Sequence, residues 1–168
     1  LQGARQLLIP LEQELNHVQA YLSLEQARFP NKYEVKMYIE DELKTTLVPP
    51  FVLQLLVENA LRHAFPKKQP VCEVEVHVFE KEGMVHFEVK DNGQGIEEER
   101  LEQLGKMVVS SKKGTGTALY NINERLIGLF GKETMLHIES ELNEGTEITF
   151  VIPKKVGEEE QIVKSISS

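Results

Sequence analysis

Two alternating runs, residues 72–79 and 85–89, constrain this chain most. Apolar side chains take every second position: Cys72, Val74, Val76 and Val78, then Val85, Phe87 and Val89. Such alternation turns one face of a strand into a core and the other toward water. The linker Glu80-Lys81-Glu82-Gly83 is short and ends in glycine, so the two runs predict a hairpin. The second run leads directly into Asp91-Asn92-Gly93-Gln94-Gly95.

Three further segments read as strands: residues 33–39, 135–141 and 147–152, the last two flanking the turn Asn143-Glu144-Gly145-Thr146. A leading helix starts at Pro10, with Glu12 and Glu14 at its positive end, and ends before Pro30. Its stripe of Leu11, Leu15, Val18 and Leu22 suits packing on its own domain and pairing with a second helix equally well. After the break at Val48-Pro49-Pro50, residues 51–65 form a mostly buried helix carrying Val52, Leu55, Leu56 and Val57. Residues 97–107 predict an acidic helix, and 117–130 a helix capped by Gly131. Residues 66–70 and 108–116 read as loops, and the polar tail 155–168 as disordered. Five strands in hairpins and crossovers, with about three helices and the leading amphipathic helix, predict an α/β two-layer sandwich. Its sheet is mixed rather than doubly wound.

The net charge of −8 argues against duplex DNA or an anionic membrane surface as a partner. No apolar run reaches the about 18 residues that span a bilayer. Cys72 is the lone cysteine, reads as a buried strand residue, and fits a reducing compartment. The chain begins at Leu1, so it is read as a piece of a longer protein.

Three segments carry chemistry. On the buried helix, Leu55, Asn59, Arg62 and His63 share one face. An Asn inside an apolar helix needs partners for its amide. It is either a hydrogen-bonded residue near a solvated helix end or an oxygen ligand for Mg²⁺, with Arg62 one turn on for a phosphate. Second, Asp91-Asn92-Gly93-Gln94-Gly95-Ile96 is either an ordinary turn or a loop that approaches a ligand closely. There the Asp91 carboxylate can accept a hydrogen bond from an exocyclic amine such as that of adenine. Third, Lys112-Lys113-Gly114-Thr115-Gly116 precedes a helix, as a solvated basic loop or an anion cradle.

In order and spacing these segments resemble the N, G1 and G2 boxes of the GHKL ATP-binding superfamily. Glu14-Leu15, Tyr21-Leu22, Gln26-Ala27-Arg28-Phe29, Leu56-Val57-Glu58-Asn59-Ala60 and Leu119-Tyr120-Asn121 narrow the resemblance to LytS-type sensor histidine kinases over roughly residues 11–153. The resemblance implies a Bergerat fold that binds ATP with Mg²⁺. Asn59 would hold the metal, with Arg62 and His63 near the phosphates. Asp91 would bind adenine in a pocket shaped by Gly93, Gly95 and Ile96, with Thr146 assisting. Lys112, Lys113, Gly114, Thr115, Gly116 and Leu119 complete the implied nucleotide contacts, on a lid from about residue 97 to 115. Residues 1–29 would be the end of a dimerisation and phosphoacceptor region, and residues 30–154 the catalytic domain. The implied reaction moves the γ-phosphate of ATP to a histidine upstream and then to an aspartate on a response regulator. The parent would be a homodimer in the bacterial cell membrane with this part cytoplasmic, and it would bind no nucleic acid.

Two positions depart from the pattern. Ala118 stands where another glycine is usual, which bears on the lid's geometry. Leu55 stands where the superfamily's ATP-hydrolysing clamps carry a water-activating glutamate, and leucine cannot accept a proton. Glu58, beside Asn59, is about 100° away round the helix and takes a supporting role. His17 lies on the leading helix, but its neighbours do not match a phosphoacceptor motif, and it is read as a surface or interface histidine. His77, His86 and His137 sit in strands and read as structural. The alternatives are a hydrolysing clamp and a non-catalytic interaction module.

Overall fold

The computed structural model describes residues 8–64, 71–110 and 117–155. The predicted loop at 66–70, the segment 111–116 and the tail from 156 lie outside the described residues. The elements run β1 (Ile9–Pro10), α1 (Leu11–Arg28), β2 (Tyr33–Ile39), β3 (Leu47–Val48), α2 (Val52–Ala64), β4 (Cys72–Lys81), β5 (Met84–Asp91), α3 (Glu98–Ser110), α4 (Thr117–Phe130), β6 (His137–Glu141) and β7 (Gly145–Pro153).

Five strands make one mixed sheet in the order β2-β4-β5-β7-β6. Among the described residues only β2 and β4 pair in parallel; the other ladders of the sheet are antiparallel. The period-2 pattern sets the register. Val35, Val74, Asp91 and Thr146 follow one another across the sheet, as do Met37, Val76, Val89 and Ile148. Val74, Val76, Val78, Val85, Phe87, Val89, Ile148, Phe150 and Ile152 are buried, while Glu73, Glu75 and Lys90 face water. The Phe87 and Phe150 rings stack at 4.5 Å between centroids. Helices cover the apolar face with Val52, Leu53, Leu56 and Leu61 from α2 and Leu119, Ile122 and Leu126 from α4. The stripe of α1 enters the same core: Leu11, Val18 and Leu22 are buried and Leu15 is partly so. This is the expected two-layer sandwich.

The hairpin turn places Glu82 (φ 55°) and Gly83 (φ 77°) both at positive φ, which matches the twist of the strands it joins. Three boundaries differ from the sequence reading. β1 and β3 form a small ribbon where only a helix start and a proline break were expected. Its residues Ile9 and Pro10 are too short a run for periodicity to reveal. α3 continues to Ser110, three residues beyond the predicted end, since residues 108–113 hold neither glycine nor proline. β6 begins at His137 rather than 135. The chain first makes a 3₁₀ turn at Lys132–Thr134, and the Met135 and Leu136 amides donate to Lys132 O and to buried Asn123 Oδ1 instead of a ladder.

Cys72 opens β4 and is fully buried. Burial pushes its thiol up, with Lys32 opposing and Asp91 adding to the rise. A raised pKa leaves little thiolate at neutral pH, so the folded protein should react with a thiol reagent at least about tenfold more slowly than in urea. Equal rates in both states, followed by absorbance, would contradict this burial.

Candidate functional site

A cavity of about 460 Å³ opens where the ends of β5 and β7 meet α2, α3 and α4. Asn59, Asp91, Gly95, Ile96, Leu119 and Thr146 all line it, so segments far apart in the chain converge on one cavity.

The Asp91 end is held by a dense network. Asp91 Oδ1 accepts the Gly93 amide at 2.8 Å and the Thr146 amide at 3.3 Å. Asn92 is used elsewhere: its Oδ1 accepts the Glu73 amide at 2.9 Å, and its Nδ2 donates to Glu73 Oε2 at 3.2 Å. The neighbours therefore divide labour, with Asn92 tying the loop to β4 while Asp91 lines the cavity. Ser140 on β6 lies at the centre. Its Oγ donates to Gly145 O and accepts the Ile96 amide, both at 2.8 Å, and it contacts Thr146 Oγ1 at 2.8 Å. Ser140 has a single proton, committed to Gly145 O, so the Thr146 hydroxyl is the donor in the last contact. The Thr146 oxygen then keeps its lone pairs for other partners.

Two glycines permit this convergence. Gly95 has φ +68°, and a Cβ there would stand 1.9 Å from Glu141 O. Gly145 has φ +135°, and its Cβ would stand 1.9 Å from Asp91 O. The 91–96 loop and the β6–β7 turn thus lie backbone against backbone, joined also by Asn143 N–H to Gln94 O at 2.7 Å.

Asn59 is a partly buried amide on α2 that faces the cavity. Leu55, one turn earlier, is 39% exposed. Arg62 is exposed and, like buried Gly93, does not line the cavity. His63 belongs to α2, and its side chain lies outside the described residues, as do Lys112, Lys113, Gly114, Thr115 and Gly116. Among the described residues, no cluster of three His, Cys, Asp or Glu side chains could hold a metal unaided. A metal beside Asn59 would therefore draw most of its ligands from a bound phosphate and water, which suits Mg²⁺.

Sequence reasoning missed several walls. Ile138, Ile148, Leu142 and Leu104 give the cavity its apolar surface, and Arg100 is the one cation among its described lining residues. The spacing of Arg100, Gln103 and Leu104 at i, i+3 and i+4 marks one face of α3, a pattern visible in the sequence. Ser140 carried no signal, since its role depends on where β6 lies. Together the site offers a carboxylate, a hydroxyl oxygen and apolar walls for a flat, amine-bearing ring. It also offers an amide and a guanidinium for an anionic extension.

The family described as "Histidine kinase-, DNA gyrase B-, and HSP90-like ATPase" matches residues 51–156. The chain is 99% identical over its whole length to sensor protein LytS of Bacillus anthracis, covering 28% of that protein. It is 60% identical to sensor protein LytS of Bacillus subtilis, over 95% of this chain and 27% of the relative. The chain thus spans under a third of the curated relatives it matches. In structure it is similar to the nucleotide-free catalytic domain of histidine kinase ThkA, with TM-score 0.67 and 17% identity over 89% of this chain and 97% of the other.

Proposed function

From the membership of this chain in the family of histidine kinase-, DNA gyrase B- and HSP90-like ATPases, we propose that it is the ATP-binding catalytic domain of a sensor histidine kinase. The observation that carries the reading is the convergence of Asn59, Asp91, Gly95 and Thr146 on one cavity. In this reading residues 30–154 are the catalytic domain and residues 1–29 the end of the dimerisation region. The γ-phosphate goes to a histidine upstream of residue 1 and then to an aspartate of a response regulator. The full protein is a homodimer in the bacterial cell membrane, with this part on the cytoplasmic side. Among the described residues no helix is long and apolar enough to cross a membrane. The charge of −8 disfavours a nucleic-acid partner.

In this reading each residue has a task. Asp91, fixed by two amides, accepts the adenine amine, and Thr146 offers its free oxygen lone pairs beside it. Ile148, Ile138 and Leu119 sandwich the base and exclude water. Asn59 presents its amide oxygen where the phosphates leave the base; the resemblance to the family adds Arg62, His63, Lys112, Lys113, Gly114, Thr115 and Gly116 as phosphate contacts. Mg²⁺ bound at Asn59 would neutralise phosphate charge, the main requirement of phosphoryl transfer. Leu55 leaves no carboxylate on α2 to activate water one turn before Asn59, which favours transfer over hydrolysis.

Calorimetry with ATP and Mg²⁺ tests the reading. Saturable one-site binding is expected, with negligible steady-state hydrolysis and no radiolabel on the chain from labelled ATP. Sustained hydrolysis would point to a clamp-like ATPase, label on His17 would make the chain its own acceptor, and absence of binding would remove the reading altogether.

A further inference from the structure

Among the described residues Glu14 is the one charged side chain fully withdrawn from water. It belongs to α1, yet its bonds go to α2. Its Oε1 accepts the Phe51 amide at 2.8 Å and its Oε2 the Gln54 amide at 3.1 Å. Those amides open α2, where backbone donors have no partner within their own helix. Pro49 and Pro50 precede them and supply neither a side-chain oxygen nor an N–H. The cap that a helix ordinarily takes from its own chain just upstream comes here from another helix, 37 residues away in sequence. The helix N-terminus also favours the negative charge.

The junction is reinforced. His17 Nδ1 lies 3.1 Å from Glu14 Oε1, and its ring stacks on Phe51 at 4.7 Å with 9° between planes. Phe51 holds φ +66°, which turns the chain out of the prolines so that its amide points at Glu14. Arg125 of α4 is near enough that Glu14 opposes the downward push of burial on its guanidinium. Further along α1, burial and then Glu25 and Glu58 push the Tyr21 phenol up to about 12, and Arg62 acts on it in the opposite sense. The α1 helix therefore touches α2 at its start and feels the charges on either side of Asn59.

We propose that Glu14 is a positioning residue for the nucleotide site, fixing the axial seat of α2, and hence of Asn59, on α1. The inference rests on the ATP-binding reading. Apolar contacts such as Leu11, Val18 and Leu22 against α2 hold two helices together but tolerate sliding; two directed hydrogen bonds do not. Asn59 lies five residues beyond Gln54 on the same helix, about 7.5 Å along its axis, so a shift at the cap is carried to the amide nearly undiminished. Asp91 and Thr146 stand on β5 and β7, outside this linkage. Movement of α1 thus acts on the phosphate end of the site and spares the adenine end.

The experiment compares Glu14→Gln with the unaltered 168-residue chain, titrating Mg-ATP and adenosine below both unfolding temperatures. The glutamine keeps the shape but turns an NH₂ toward one of the two amides. ATP affinity should fall by at least about fivefold while adenosine affinity holds within about twofold, the signature of a misplaced phosphate contact. The Asn59 side-chain amide signals should also move in the NMR spectrum. A purely structural role predicts equal changes for both ligands, and that result, or no change in either, overturns the proposal. His17→Ala keeps the question open to test should Glu14→Gln not fold. It removes the stack on Phe51 from a side chain 26% exposed, and the same selective loss is expected at smaller size; its absence overturns the proposal equally. Failure of the unaltered chain to bind either ligand would instead refute the ATP-binding reading itself.

Discussion

Asp91→Asn lowers the affinity for ATP by about 10- to 150-fold, the equivalent of one charge-assisted hydrogen bond of about 1.5–3 kcal/mol. The reason lies in how the carboxylate is shared. Oδ1 is engaged by the Gly93 and Thr146 amides, and an asparagine oxygen can still accept both, though without the charge. The fold therefore survives, and the unfolding midpoint should stay close to that of the parent. What changes is the second oxygen, replaced by an NH₂ that donates toward an amine which also donates. Calorimetry should show the loss for adenosine and ATP alike, in contrast to the selective loss expected from Glu14→Gln. Unchanged ATP affinity in a folded Asp91→Asn protein would mean that the base does not lie against β5.

Gly95→Ala should destabilise the protein by about 3–5 kcal/mol in urea unfolding. Left-handed backbone alone accounts for about 1–2 kcal/mol once a Cβ is present. The remainder is contact: the new carbon would meet Glu141 O at 1.9 Å, its carbonyl carbon at 2.6 Å and Leu142 Cα at 2.9 Å, all backbone atoms that cannot rotate away. Relief requires the β6–β7 turn to separate from the loop, breaking the Asn143–Gln94 and Ile96–Ser140 hydrogen bonds at about 1 kcal/mol each. Gly83→Ala is the comparison. Its φ is +77°, but nothing lies within 4 Å of a Cβ there, so only the backbone strain should appear. Equal losses in the two variants would show that the close approach at Gly95 carries no energy.

Much of this was legible before any coordinates. Alternation gave β4 and β5 with inward Val74, Val76 and Phe87, because a half-buried strand leaves a period-2 trace wherever it lies. Asn59 stood out because a polar residue in an apolar helix needs partners, and Asp91 because Asp91-Asn92-Gly93-Gln94-Gly95 follows it in the order and spacing of a known set of motifs. Ser140, Arg100 and Leu142 did not stand out, since each acquires meaning only when β6 and α3 come to rest beside the loop. Glu14 was read as a favourable charge on the first turn of its own helix. Its actual role, capping a different helix, depends on a long-range packing that no local pattern encodes.

The ladder between β5 and β7 runs from Met84 opposite Pro153 to Asp91 opposite Thr146. Everything between Asp91 and Thr146, including α3, α4, their connection and β6, is closed at its base by that ladder. The entropy of closing a flexible loop grows only logarithmically, by about 0.6 kcal/mol for each doubling of its length. The connection between α3 and α4 can therefore be lengthened with little penalty to strand pairing.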